Sequence, residues 1–261
     1  MEVLTPRTLE EALRLRAGLP GAVPIQGGTD LMVDLNFDRR RPDVMINLNE
    51  VHELRGWSWE NGSLRLCSGL TYSEIEHSEL ATLLPALAEA SRTVGSPQIR
   101  NRGTIGGNLG TASPAGDALP PLLVEAAEVE VASVRGVRRM PVQEFLVGVK
   151  RNALADDELI VAVYVEPSGS PQTFMKVGPR NAMVIAVCSL ALGVDRERGE
   201  VRAAIGSAAP VTTLVTGGID GFADRVVAAA SPIDDVRGTA AYRRHALHVL
   251  ATRALERCLA A

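Results

Sequence analysis

Gly95-Ser-Pro-Gln-Ile-Arg-Asn-Arg-Gly-Thr-Ile-Gly-Gly-Asn-Leu-Gly-Thr-Ala-Ser-Pro-Ala-Gly-Asp117 crowds glycine, proline, serine, threonine and asparagine into one continuous run. Neither the strand period of two nor the helical period of 3.6 is sustained there, or onward to Pro121. Inside a compact domain, a long segment without a repeating apolar face is characteristically functional or disordered. At its centre stands Thr104-Ile105-Gly106-Gly107-Asn108, and a second glycine pair lies upstream in Pro24-Ile25-Gln26-Gly27-Gly28-Thr29-Asp30-Leu31. Adjacent glycines reach conformations closed to other residues and carry no Cβ, so successive N–H groups can converge on phosphate oxygens. Thr29, Thr104 and Asn108 add side-chain donors, enough to hold a pyrophosphate without a cationic clamp. Taken alone, a double glycine is more often a tight turn. Neither is a Rossmann fingerprint, because Gly106 to Gly110 does not match G-x-G-x-x-G and no strong helical pattern follows; nor is there a Gly-Lys-Ser/Thr for a Walker loop.

The rest of the chain fits a globular protein of one large or two smaller domains. Its 261 residues are 46% hydrophobic and 22% charged, which excludes disorder, collagen-like repeats and a small disulfide scaffold. A 3% aromatic content with a net charge of -4 excludes an extended nucleic-acid face with stacking platforms. Cys67, Cys188 and Cys258 lack metal or disulfide spacing, and His52, His77, His245 and His248 are scattered, so no metal site is expected. Ser68-Gly69 and Ser207 lie outside any G-x-S-x-G elbow, and no catalytic residue is assigned. The N-terminus lacks an apolar signal core and runs such as Ala186 to Val194 are too short to span a bilayer, so a cytoplasmic protein is expected.

Local patterns predict an α+β chain. Thr8-Leu-Glu-Glu11 is a capping box for a helix carrying Leu9, Ala12, Leu13 and Leu15. Strands are predicted at Ala22–Ile25, Asp43–Leu48, Leu64–Ser68, Val129–Val134 and Leu159–Val165, with a helical stripe through Leu83, Leu84, Leu87, Ala88, Ser91 and Val94. Glu166 to Pro171 reads as a connector. Beyond it, Thr173–Val177, Met183–Val194 and Val201–Ile205 predict an antiparallel sheet, and Asp234 or Asp235 opens a last helix with Ala241, His245, His248, Val249, Thr252 and Leu255 on one face.

These motifs together resemble the FAD-binding medium subunit of the molybdenum hydroxylases, the xanthine dehydrogenase and carbon monoxide dehydrogenase family. The resemblance rests on Pro24–Leu31 and Gly95–Asp117, followed in order by Asp157-Glu-Leu-Ile160, Phe174-Met-Lys-Val-Gly-Pro-Arg180 and Asp235-Val-Arg-Gly-Thr-Ala-Ala-Tyr-Arg-Arg244. It implies a vanillyl-alcohol-oxidase (PCMH)-type FAD-binding fold over residues 1–167, in two subdomains of about 1–54 and 55–167. A C-terminal α+β domain like that of the CO dehydrogenase flavoprotein would follow over 172–261. By position, Pro24, Ile25, Gln26, Gly27, Gly28, Thr29, Asp30 and Leu31 line the cofactor together with Thr104, Ile105, Gly106, Gly107 and Asn108. Val94 takes a place where the family often has an aromatic flavin contact. Asp117 matches a carboxylate near the adenosine half, Ile160 an apolar contact through its backbone, Lys176 a base near the flavin ring, and Ser113 a loop ligand.

Each assignment has a plainer competitor. Asp117 also suits the start of a helical turn, Lys176 a solvated strand position, and Ser113 and Thr111 loop-stabilising hydroxyls. Arg100, Arg102, Arg180, Arg237 and Arg243 either face partner subunits or stay in water, and most are expected in water. With no histidine or cysteine in either glycine loop, the FAD is expected to be noncovalent. By the resemblance, molybdopterin and 2Fe-2S clusters reside on a large and a small partner subunit, as a dimer of heterotrimers. The chain then passes electrons to NAD+, oxygen or another acceptor. The alternatives are a stand-alone flavin reductase of the same fold and a non-redox nucleotide-binding assembly subunit.

Overall fold

The computed structural model describes residues 1–261. The first lobe comprises β1 (Glu2–Leu4), α1 (Leu9–Gly18), β2 (Val23–Ile25), α2 (Leu31–Asn36) and β3 (Val44–Asn47), its strands forming a parallel sheet of order β1-β3-β2. Pro24 falls on the edge strand β2, where a missing N–H is tolerated. The capping box of α1 closes by half. Glu11 N donates to Thr8 Oγ1 at 3.2 Å, but the Glu11 carboxylate accepts from Arg7 N instead of Thr8 N. Ala12, Ala22, Ile46, Leu48, Val51 and Leu54 form the core of this lobe, completed by Ala132, Leu159 and Val161 from the next sheet.

The second lobe runs through β4 (Trp57–Glu60), β5 (Ser63–Cys67), α3 (Tyr72–Glu76), α4 (Leu80–Leu83), α5 (Pro85–Thr93), α6 (Pro97–Arg100), α7 (Ile105–Thr111) and α8 (Leu119–Val124). It continues with β6 (Glu128–Ser133), β7 (Gly136–Pro141), α9 (Val142–Phe145), the small hairpin β8 (Leu146–Gly148) and β9 (Arg151–Asn152), and β10 (Leu159–Val165). The main sheet is antiparallel with order β4-β5-β10-β6-β7, so its last strand in sequence sits at its centre. That position explains why Leu159–Val165 is apolar throughout: every residue of β10 is buried.

Two expectations change here. The predicted helix through Leu83 and Val94 is broken at Leu84, and Pro85 starts α5, where its absent N–H is no loss. The stretch from Gly95 to Pro121 contains two short helices, α6 and α7, and the start of a third, α8. Glycines hide α7 from periodicity, since each costs about 1 kcal/mol relative to alanine in a helix interior. Two features offset that cost. Thr104 Oγ1 caps the helix by accepting from Gly107 N at 3.0 Å, and Gly106 lets the helix touch the segment after β5, where a Cβ would stand 2.7 Å from Ser68 O.

Glu166 to Pro171 joins β10 to an antiparallel meander of β11 (Gln172–Val177), β12 (Cys188–Asp195), β13 (Glu200–Gly206) and β14 (Thr213–Gly218), followed by α10 (Phe222–Ala229) and α11 (Ala240–Ala260). One face sends Cys188, Leu190, Leu192, Val201, Ala203 and Ile205 against α10 and α11. The other is lined by small residues, Ser189, Ala191, Gly193, Ala204 and Gly206, which let α8 approach closely. A Cβ at Gly193 would lie 3.2 Å from Val124, and one at Gly206 3.1 Å from Pro120.

The predicted strand from Met183 begins only at Cys188, because Val184 folds back over Gly178 and its carbonyl is taken by Lys176. The last helix is capped by Thr239, whose Oγ1 accepts from Tyr242 N at 3.1 Å; Asp234 contributes by accepting from Ala240 N. Its buried face is Arg243, Ala246, Leu247, Leu250, Ala251, Ala254 and Cys258, while His245 and His248 are exposed. Alanines allow the helix to lie close to the sheet, so the packed face follows small residues. No helix is long and apolar enough to cross a membrane.

Candidate cofactor-binding site

The two glycine loops adjoin. A Cβ on Gly27 would stand 2.8 Å from the carbonyl carbon of Arg102 and 3.1 Å from Gly103 Cα, so the first loop crosses the second backbone on backbone. Gly28 has φ +72, a left-handed conformation that favours glycine, and the Ile25 side chain packs beneath it. Asn49 Nδ2 fixes the Gln26 carbonyl at 2.9 Å, and the Gln26 side chain lies over Gly69. Beyond this anchor, the amides of Gly27, Gly28, Thr29 and Asp30 donate to no acceptor within the chain. Leu31 opens α2 directly after them.

The second loop differs from the expectation of a matching amide cradle. Ile105 N donates to Leu70 O at 3.0 Å, Gly106 N to Ser68 O at 2.8 Å, Gly107 N to Thr104 Oγ1 and Asn108 N to Thr104 O. Its amides fasten α7 to the segment after β5. What it presents is the exposed face of Gly107, where a Cβ would meet only Thr104 Oγ1, together with the Asn108 side chain.

From α7 the site continues to the 113–118 loop. The Asn108 side chain packs against Gly116, and Ile160, 8% exposed, packs beneath Gly110. Ser113 stabilises its own turn, its Oγ accepting from Ala115 N at 3.3 Å. Asp117 and Lys176 form a buried ion pair at 2.7 Å, and Lys176 also donates to Thr93 O, next to Val94. Burial pushes the Asp117 carboxyl up to about 6 against the lowering effect of Lys176. Val94 is half-buried at the end of α5, with its carbonyl accepting from Arg100.

The open amides of Gly27 to Asp30 fit an anionic group, and buried oxygens without a partner fit polar donors beside it. Asn108 Oδ1, Asp117 Oδ1, Ser68 Oγ and Ser207 Oγ are buried without a hydrogen-bond partner. Each such atom costs about 1–3 kcal/mol unless a partner meets it. Two shallow surface depressions, one beside Trp57 and His77 and the other beside Leu9 and Leu13, carry no such set. No group of three or more His, Cys, Asp or Glu side chains stands close enough to hold a metal ion.

Sequence reasoning missed Ser207 and Arg243. Ser207 holds φ +59, and its N–H donates to Pro114 O at 2.8 Å, tying the third sheet to the 113–118 loop. Arg243, expected in water, is 3% exposed and donates to Ser207 O and Asp235 Oδ1, both at 2.6 Å. The turn composition of Gly206-Ser207-Ala208-Ala209-Pro210 was the available signal. Arg100, Arg102 and Arg180 also bond backbone carbonyls.

A parallel lobe and an antiparallel lobe meeting at paired glycine loops make an α+β protein of the PCMH-type fold, and the matches below place it among flavin-binding oxidoreductase subunits. Residues 1–167 match the family described as FAD binding domain in molybdopterin dehydrogenase. The chain is 38% identical over 205 residues to the nicotinate dehydrogenase FAD-subunit of Eubacterium barkeri, covering 74% of this chain and 69% of that protein. It is 30% identical to the xanthine dehydrogenase FAD-binding subunit of Escherichia coli O157:H7, covering 97% and 94%. Among solved structures, a chain of carbon monoxide dehydrogenase from Hydrogenophaga pseudoflava superposes with a TM-score of 0.93 at 25% identity, covering 100% of this chain and 97% of that one. The protein belongs to the family of FAD-binding subunits of molybdenum hydroxylase-type dehydrogenases.

Proposed function

We propose that this chain holds a noncovalent FAD where the two lobes meet, as the medium subunit of a heteromeric, cytoplasmic molybdenum hydroxylase. The carrying observation is the run of unpartnered amides from Gly27 to Asp30, set against the backbone crossing at Arg102. Those amides supply hydrogen bonds to the diphosphate, and the glycine at 107 leaves α7 open for its approach. Asn108 Oδ1 and Asp117 Oδ1 accept from donors on the cofactor, while Ile25 and Ile160 supply apolar support. When bound, FAD supplies an electron carrier between the 2Fe-2S clusters of a small partner and NAD+, oxygen or another acceptor. A large molybdopterin-binding partner carries the hydroxylation, and two such heterotrimers form the complex. The proposed division is 1–167 for the FAD-binding domain, split near 54, and 172–261 for the C-terminal domain.

The test is to purify the full chain with its partners, precipitate it with acid and identify the released chromophore. Stoichiometric FAD in the supernatant is expected. A colourless complex that takes up no FAD refutes the cofactor assignment, and flavin retained in the pellet refutes noncovalent binding. Reduction of the bound flavin only when substrate and both partners are present supports the electron route; partner-independent turnover overturns it.

A further inference from the structure

The first glycine loop is steered from outside itself. Asn49 stands in the short turn Leu48–Glu50 that follows β3, and its side-chain amide is fully committed. Its Nδ2 donates to Asn47 Oδ1 at 2.6 Å and to Gln26 O at 2.9 Å, and its Oδ1 accepts from Arg102 Nη2 at 3.4 Å. Chemistry fixes that direction. Asn49 N donates to the Asn47 side chain at 3.2 Å, so the Asn47 atom facing it is the oxygen. A carbonyl such as Gln26 O only accepts, so the Asn49 atom that meets both oxygens is its nitrogen. Arg102 Nη2 reaches the same Gln26 carbonyl, at 3.5 Å, from the second loop.

The Gln26–Gly27 peptide is trans and planar, so its C=O and N–H point in opposite directions. Glycine accepts φ of either sign, which leaves this peptide free to flip unless something holds it. We infer that Asn49 is a positioning residue for the diphosphate: by gripping the Gln26 carbonyl it turns the unpartnered Gly27 N–H outward to meet a phosphate oxygen. This rests on the reading that the chain carries FAD at the glycine loops. Asn49 touches no cofactor atom and acts through one rigid peptide. By way of Arg102 it also ties the first loop to the second, so the diphosphate meets both in a fixed relation.

Full-length apoproteins of wild type, Asn49→Ala and Asn49→Asp are titrated with FAD, with thermal unfolding measured alongside. Asn49→Ala is expected to weaken FAD binding about tenfold. Asn49→Asp, equal in size, keeps an acceptor for Arg102 but sets an oxygen against the Gln26 carbonyl, and should weaken binding beyond about thirtyfold. A role confined to stability would leave the surroundings of bound phosphate alone. Both variants should therefore move the phosphorus NMR resonances of bound FAD, while the visible flavin spectrum stays as in wild type. Where Asn49→Ala fails to fold, Asn49→Asp, whose shape fits the same turn, carries the test. FAD affinity within about threefold of wild type in Asn49→Asp, or weakened binding with unmoved phosphorus resonances, overturns the inference while leaving the cofactor assignment standing. A wild-type chain that takes up no FAD removes the cofactor reading, and this inference with it.

Discussion

Gly107→Ala separates binding from stability at the second glycine loop. Gly107 is the third residue of α7 and is exposed; an added Cβ would meet only Thr104 Oγ1, at 3.1 Å. Alanine gains up to about 1 kcal/mol over glycine in a helix interior. Crowding the cap, itself worth about 1 kcal/mol, takes some of that back. Net stability should therefore stay within about 1 kcal/mol, a melting shift of no more than about 4 °C for a chain of this size. FAD affinity should instead fall about a hundredfold, about 2.7 kcal/mol, because the methyl group occupies the face open to the diphosphate. Gly27→Ala is the contrast. Its Cβ would press on the backbone of Arg102 and Gly103, and overpacking of that kind costs about 1–3 kcal/mol, so stability and affinity fall together. Quenching of FAD fluorescence on titration into apoprotein reads affinity, and thermal unfolding of the apoprotein reads stability. A Gly107→Ala chain that binds FAD within threefold of wild type refutes the placement of the diphosphate against α7.

Two further outcomes follow from buried titratable groups. The Asp117 carboxyl is raised from 3.8 to about 6, so the folded apoprotein binds more protons than the unfolded chain between those values. Its contribution is complete below about pH 4 and is lost as pH rises through 6, so Asp117→Asn should gain about 2 to 3 kcal/mol on wild type between pH 4 and 6.5 in denaturant titrations. A constant difference across that range contradicts the buried carboxyl. Burial raises the thiols as well, Cys188 to about 12 and Cys258 to about 11, with Cys67 also raised. A disulfide reagent at pH 8 should therefore modify none of them in the native chain and all three after unfolding; rapid native labelling would contradict the packing.

The parts of the fold legible from sequence are those where periodicity and burial coincide. Leu159–Val165 reads as a strand because it is the central strand of its sheet, and Thr8 and Glu11 announce α1 because a local cap needs no distant partner. The glycine-rich stretch was legible as a candidate site, but its helices were not legible. Gly106 is stabilised in α7 by contact with Ser68, a partner set by tertiary folding, and local propensity carries no trace of it. The same applies to chemistry. Asp117 and Lys176 were each visible as candidates, but 59 positions separate them, and nothing in spacing told that they pair with each other. Arg243 was misplaced because an arginine on a helix reads as solvated until a carbonyl such as that of Ser207 is brought beneath it.

The core of the first lobe bears on how the chain is made. Leu159 and Val161 close over Ala12, Ile46 and Leu54, more than a hundred positions after that lobe's last strand. A ribosome adding about 5–20 residues per second needs roughly five to twenty seconds to deliver them. Throughout that interval the N-terminal segment lacks the part of its apolar cover that Leu159 and Val161 supply, so this lobe's core closes only once β10 has been made.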